Sequence, residues 1–170
     1  MNADFEMLKI QSLQCNPVDL FHKTWALVTA GDEQSVNTMT ISWGSIGELW
    51  GKPVSFTFIR PQRYTKQFVD REATYSLCFF DESYRQKLSY LGIVSGKEEN
   101  KIEKACLTVA FEDGTPYFEE AQMVLFCKKL YNQQLNSESF LDKALDGQVY
   151  AAGDYHTMYI SEIISAYKRA

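Results

Sequence analysis

The sequence predicts a mainly β domain that closes into a barrel, and three features point there. Six segments rich in β-branched and aromatic residues follow one another along the chain. Aromatic residues make up 14% of the 170 residues, with 11 Phe and 10 Tyr, a composition that suits strands better than a helix bundle. No Gly/Ser/Pro linker, repeat or low-complexity run divides the chain, so the strands belong to one core. A domain of this size buries roughly 70% of the surface its unfolded chain exposes, enough to fold without a metal or a disulfide.

The elements follow in order. A short arm, residues 1–16, ends before Pro17, and the domain proper occupies 17–170. Strands are expected at Thr24–Ala30, Val36–Trp43, Pro53–Ile59, Thr74–Phe80, Ala121–Gln133 and Tyr155–Ser165. Three short helices interleave. The first, Tyr64–Arg71, sets Tyr64, Phe68 and Arg71 on one side; the second opens at the capping-box spacing of Ser83 and Gln86 and runs toward Leu91. The third spans Glu98–Ala105. Residues 136–153 show little periodicity beyond a turn at Phe140–Leu145, and a segment of that length suits a lid or a partner-facing loop.

Charge and cysteine usage narrow the function. A net charge of -5 opposes binding to DNA or RNA, although a small anion can still bind where cations cluster. Cys15, Cys78, Cys106 and Cys127 form no CxxC pair and read as reduced thiols, which fits a cytoplasmic protein. The opening MNADFEMLKIQSL lacks the basic flank and apolar stretch of a signal peptide, and no run approaches the ~20 apolar residues of a membrane span. His22 and His156 each stand alone, so no metal site is expected.

Two stretches carry the candidate chemistry. In Asn37-Thr38-Met39-Thr40-Ile41-Ser42-Trp43 the hydroxyl residues Thr38, Thr40 and Ser42 share one face, expected wet, while Met39, Ile41 and Trp43 share the other, expected buried. That pattern is either a half-exposed strand or a strand whose hydroxyls and main chain meet a flat heteroaromatic ligand. In Arg60-Pro61-Gln62-Arg63-Tyr64-Thr65 a strand turns into a helix start, where unpaired N–H groups, two guanidinium groups and two hydroxyls can receive a phosphate. The alternative is a solvated surface turn. Ser95-Gly96-Lys97 repeats the theme on a loop after a helix.

Other chemistries find no support. Gly44-Ser45-Ile46-Gly47 fits neither a P-loop nor the dinucleotide fingerprint, and no GxSxG or paired nucleophile is present. His156 is the one side chain to test as acid, base or substrate contact, against the plainer role of a hydrogen-bonded histidine at a barrel rim.

Taken together, NTMTISWGSIGELWGKP, FIRPQRYT, SLCFFDESYR, GIVSGKEENK and DYHTMYISEI resemble the flavin reductase-like family of FMN-binding split barrels, as does the opening KTWALVTAGD. The resemblance spans nearly the whole chain. It implies a six-stranded Greek-key split β-barrel, a homodimer, and non-covalent FMN. It further implies that Asn37 to Trp43 line the isoalloxazine edge, that Arg60, Pro61, Gln62, Arg63, Tyr64 and Thr65 receive the ribityl phosphate, and that Ser95, Gly96 and Lys97 complete that pocket. NAD(P)H would be the electron donor, and free flavin, oxygen or a partner oxygenase the acceptor. An electron carrier, sensor or flavin store without reductase turnover is the alternative, with pyridoxamine-phosphate oxidase-like and haem-binding proteins as more remote readings of the same architecture.

Overall fold

The computed structural model of the protein describes Met1 and residues 4–170. Its strands, in chain order, are β1 (Phe5–Met7), β2 (Ala26–Asp32), β3 (Ser35–Ile41), β4 (Gly44–Leu49), β5 (Lys52–Ile59), β6 (Thr74–Phe79), β7 (Val109–Glu112), β8 (Thr115–Phe118), β9 (Met123–Gln134) and β10 (Thr157–Arg169). The helices are α1 (Pro17–Asp19), α2 (Thr65–Arg71), α3 (Arg85–Ile93), α4 (Lys101–Lys104) and α5 (Lys143–Val149). The main antiparallel sheet has the order β3-β2-β6-β9-β10-β5-β4, with β1 added to β10 and β7-β8 standing apart as a hairpin. The end strands β3 and β4 are consecutive in the chain and joined only by Ser42 and Trp43, so the barrel stays split between them.

The six expected strands appear as β2, β3, β5, β6, β9 and β10, and the others were not anticipated. In β4, Gly44, Ser45 and Gly47 lower strand propensity. The strand forms because β5 offers its edge and because Trp50 and Gly51, at φ 56° and 70°, make the two-residue turn whose twist suits a hairpin. The arm carries β1, paired with β10, and Phe5 is buried with its ring 6.0 Å edge-on from that of Tyr117.

The core has two layers because β2, β6 and β9 are buried on both faces. Val28, Leu77 and Leu125 point into the barrel with Met39, Ile59 and Ile163. Their neighbours Leu27, Cys78, Val124 and Phe126 point outward and pack against Leu88 and Leu91 of α3 and Phe118 of β8. Within the barrel the Tyr75 hydroxyl lies 2.9 Å from Ser161 Oγ and 3.1 Å from Thr57 Oγ1. Tyr75→Phe leaves those buried hydroxyls short of a partner, so a loss of about 1–3 kcal/mol is expected, read as a lower midpoint in urea unfolding with an unchanged slope.

Register shifts at two points of the β9-β10 ladder leave Leu130 and Ile164 as bulged residues, and both side chains are exposed. The helix starts also differ from expectation. The chain enters α3 through a 3-10 turn in which the Asp81 carboxylate accepts from the Ser83 N–H at 3.0 Å, so Asp81 and not Ser83 is the cap. The third helix is confined to α4, capped by Asn100. The 136–153 segment holds more structure than a single turn: a 3-10 turn at Ser137–Ser139 and then α5, where Asp142 Oδ1 accepts from Ala144 N.

Candidate functional site

Two adjacent cavities lie along β3 and share Met39 and Arg63 in their walls. The outer, about 230 Å³, opens at the barrel split and is lined by Met39, Thr40, Ile41, Ser42, Trp43, Phe58, Arg60, Arg63 and His156. The inner, about 100 Å³, is bounded by Gln62, Arg63, Tyr64 and Thr65 at the start of α2, by Leu91, Ile93 and Val94 at the end of α3, and by Ser95, Gly96 and Lys101 beyond it. A larger cavity of about 450 Å³ lies under the arm, but it is mainly apolar and its one cation, Lys52, is paired with Glu162 at 2.7 Å.

Most of the residues singled out in the sequence thus converge, while Asn37, Thr38, Pro61 and Lys97 line neither cavity. The hydroxyl face of β3 is exposed only at Ser42. Thr38 is fully buried, donates to the Val28 carbonyl at 3.0 Å and lies 2.9 Å from the Thr29 hydroxyl; Thr40 donates to the Leu88 carbonyl at 2.5 Å. The reason is that α3 covers this face. Trp43, expected inside, is 48% exposed, because β3 ends at Ile41 and the alternation ends with it. Met39 and Ile41 are buried as the pattern requires.

Asn37, also buried, lines neither cavity. Its side-chain amide donates to Thr65 Oγ1 at 3.3 Å, and a Cβ built on Gly96 would sit 2.5 Å from its Oδ1. Asn37 therefore joins the α2 start and the Ser95–Lys97 loop to the sheet. Gly96→Ala must push these elements apart, and a lowered melting temperature together with weakened anion binding is the expected outcome. Pro61 is exposed and lines neither cavity, while Lys97 lies outside the inner one with its ammonium 5.1 Å from the Tyr64 ring centroid.

The cations divide into two kinds. Arg60 is already engaged: its guanidinium forms an ion pair with Asp154, donates to the Val149 carbonyl at 3.2 Å and lies 5.3 Å from the Tyr150 ring centroid. Gln62 also donates to Asp154, at 2.8 Å. Arg63 and Lys101 are different, because among the described residues neither has a carboxylate partner. Arg63 donates to the Gly92 carbonyl at 2.9 Å, and Lys101, only 4% exposed, donates to the carbonyls of Leu91 and Val94 at 2.9 Å each. Burial, and then the charge of Arg63, lowers the Lys101 pKa to about 8.

The helix start supplies donors as well. The N–H groups of Lys66 and Gln67 are taken by the carbonyls of Arg63 and Tyr64, so the first turn is less open than the sequence suggested. The N–H groups of Tyr64 and Thr65 have no main-chain acceptor among the described residues. At the other end of the site, burial and then the Arg60 charge lower the His156 pKa to about 4, so the imidazole is neutral at pH 7. Lys101 and the Asp154–Tyr150 support were missed by sequence reasoning. Lys101 stands just after Ser95-Gly96-Lys97, but its burial arises only when α4 folds back beneath α3.

Residues 18–170 match the model of the flavin reductase-like domain. The chain belongs to the flavin reductase-like family. No curated protein matches in sequence. Among solved structures, an FMN-binding domain of flavin reductase-like enzymes from Shewanella baltica is similar with a TM-score of 0.70 at 15% identity, over 97% of this chain and 77% of that one. Flavoredoxin from Methanosarcina acetivorans gives 0.66 at 20% identity, over 86% and 68%, and an NADH:FAD oxidoreductase from Streptomyces globisporus gives 0.65 at 14%, over 86% and 75%. At these identities the structural likeness establishes the family's split-barrel fold. No helix of the described residues is long and apolar enough to cross a membrane, and no group of three or more His, Cys, Asp or Glu among them is placed to hold a metal ion.

Proposed function

We propose that the protein is an FMN-dependent oxidoreductase that binds FMN non-covalently, accepts electrons from NAD(P)H and passes them to free flavin, oxygen or a partner oxygenase. The observation that carries this reading is the pair of buried or half-buried cations without acidic partners among the described residues, Arg63 and Lys101, at a small cavity that shares walls with a wider one lined by β3 and rings. In an acidic chain such a pair fits a phosphate monoester, whose two negative charges balance both cations. The close approach of Gly96 to Asn37 fits as well, since it brings the loop to the cavity where a larger residue would hold it away.

The cavity walls support the following division of labour. Arg63, Lys101, Ser95, and the Tyr64 and Thr65 N–H groups hold the phosphate; Lys97 adds long-range attraction from the rim. Residues 39–43, Phe58 and His156 wall the ring, with Asn37 and Thr38 fixing β3 behind them. Arg60 keeps the 149–154 segment in place rather than meeting the phosphate directly. When bound, the flavin supplies the hydride- and electron-accepting chemistry, while these residues orient it and limit water.

An FMN-binding carrier or store without nicotinamide turnover is the second reading, favoured by the likeness to flavoredoxin. The assembly is a homodimer in either case. Exposed Trp50 and Tyr131, with ring centroids 6.4 Å apart, and the bulged Leu130 present an apolar surface suited to a second copy. Residues 17–170 form the functional domain, and buried Cys78 and Cys127 are reduced, in keeping with a cytoplasmic setting.

One preparation tests the reading. The protein should take up FMN at micromolar concentration, show flavin absorbance, and oxidise NADH or NADPH. Failure to take up FMN rejects the site, and yellow protein inert toward both nicotinamides selects the carrier reading.

A further inference from the structure

We propose that Tyr150 is a positioning residue that fixes the tautomer of His156, so that the outer cavity presents a neutral imidazole N–H donor to a carbonyl oxygen of its ligand. This rests on the outer cavity being the ligand site. The Tyr150 hydroxyl lies 2.8 Å from His156 Nδ1, and both residues are buried. Among the described residues Nδ1 is the one side-chain hydrogen-bond partner of the hydroxyl, so we take Tyr150 as donor and Nδ1 as acceptor. A neutral imidazole bears a single N–H, which must then sit on Nε2.

The free nitrogen faces the cavity. Every side-chain N or O atom sealed from solvent among the described residues has a hydrogen-bond partner. Nε2 of His156 has none, so it is open to solvent, and the cavity is what the ring lines. The ring cannot easily turn: Trp43 packs against it at 5.0 Å, and Tyr150 is itself stacked on Tyr155 at 4.8 Å with 26° between planes. An Nε2–H beside two arginines selects an uncharged acceptor, because anions are better served by the guanidinium groups and N–H groups of a ligand find nothing to donate to. Aldehydes, ketones and carboxamides carry such an oxygen.

The chain has only two histidines, so two-bond proton–nitrogen correlation spectra of protein labelled with ¹⁵N-histidine resolve each. In flavin-free wild type at pH 7, His156 should show the single Nε2–H form, with exposed His22 as the internal comparison. Tyr150→Phe keeps the stacked ring, removes the hydroxyl and should shift His156 toward a mixture. An Nδ1–H form in wild type, or a tautomer unmoved by Tyr150→Phe, overturns the proposal, and the wild-type spectrum decides alone if the variant does not fold. In FMN-loaded protein, p-hydroxybenzaldehyde should move the Nε2–H signal and p-cresol should not; affinity for the aldehyde should fall about three- to tenfold in Tyr150→Phe, the worth of one neutral hydrogen bond. Equal responses to the two probes, or none, overturn the carbonyl assignment. These spectra are separate from flavin uptake, which tests the ligand site itself.

Discussion

Replacing Arg63 by Ala and Lys101 by Met together is expected to yield folded, colourless protein. Two charge-assisted contacts of about 1.5–3 kcal/mol each would be lost, weakening FMN by about two to four orders of magnitude, as measured by fluorescence titration. Met matches the length of Lys101 and removes a buried charge, so the fold should survive. Arg60→Ala provides the contrast. Because Arg60 is bound to Asp154 and Val149, its loss should loosen residues 149–154 and change FMN affinity much less. An Arg60→Ala effect as large as that of the double variant would return Arg60 to the phosphate. In wild type, FMN affinity should also decline as pH rises through about 8, where Lys101 of the free protein gives up its proton.

The second large effect is on stability in mild acid. His156 has a folded pKa of about 4 against an ordinary value of 6.5, so the unfolded chain binds a proton that the folded protein refuses. Its contribution is complete above pH 6.5 and is lost as pH falls toward 4. With the ring edge open to the cavity the effect is discounted to about 1–3 kcal/mol. Urea unfolding at pH 7 and at pH 4.5 should show a smaller difference for His156→Gln than for wild type. Equal differences would mean that the imidazole is charged in the folded state.

Legibility followed local pattern. Strands β2 and β6 and the first half of β9 are rich in apolar and β-branched residues, and the Arg60–Thr65 turn announces itself by charge and by proline. The hairpin β7-β8 was not anticipated, although Asp113-Gly114, at φ 47° and 76°, is a favoured two-residue turn; its strands are only four residues each and carry too short a pattern to stand out. What could not be read depends on contacts distant in sequence. The Thr38/Thr40 face was misassigned because β-branched hydroxyls serve a wet strand and a helix-covered strand equally well, and only the packing of Leu88 decides. Arg60 and Arg63 look alike in sequence; Asp154, far along the chain, makes them different. The burial of Lys101 has no local signature at all.

The gap between β3 and β4 leaves one side of β3 without a neighbouring strand. An unsatisfied row of amides and carbonyls is ordinarily an invitation to unwanted association, which proteins blunt with charge, proline or a covering element. If FMN binds as proposed, its edge along Met39 to Trp43 would stand in for the absent strand, and occupancy would then guard against self-aggregation at the same place where the flavin would react.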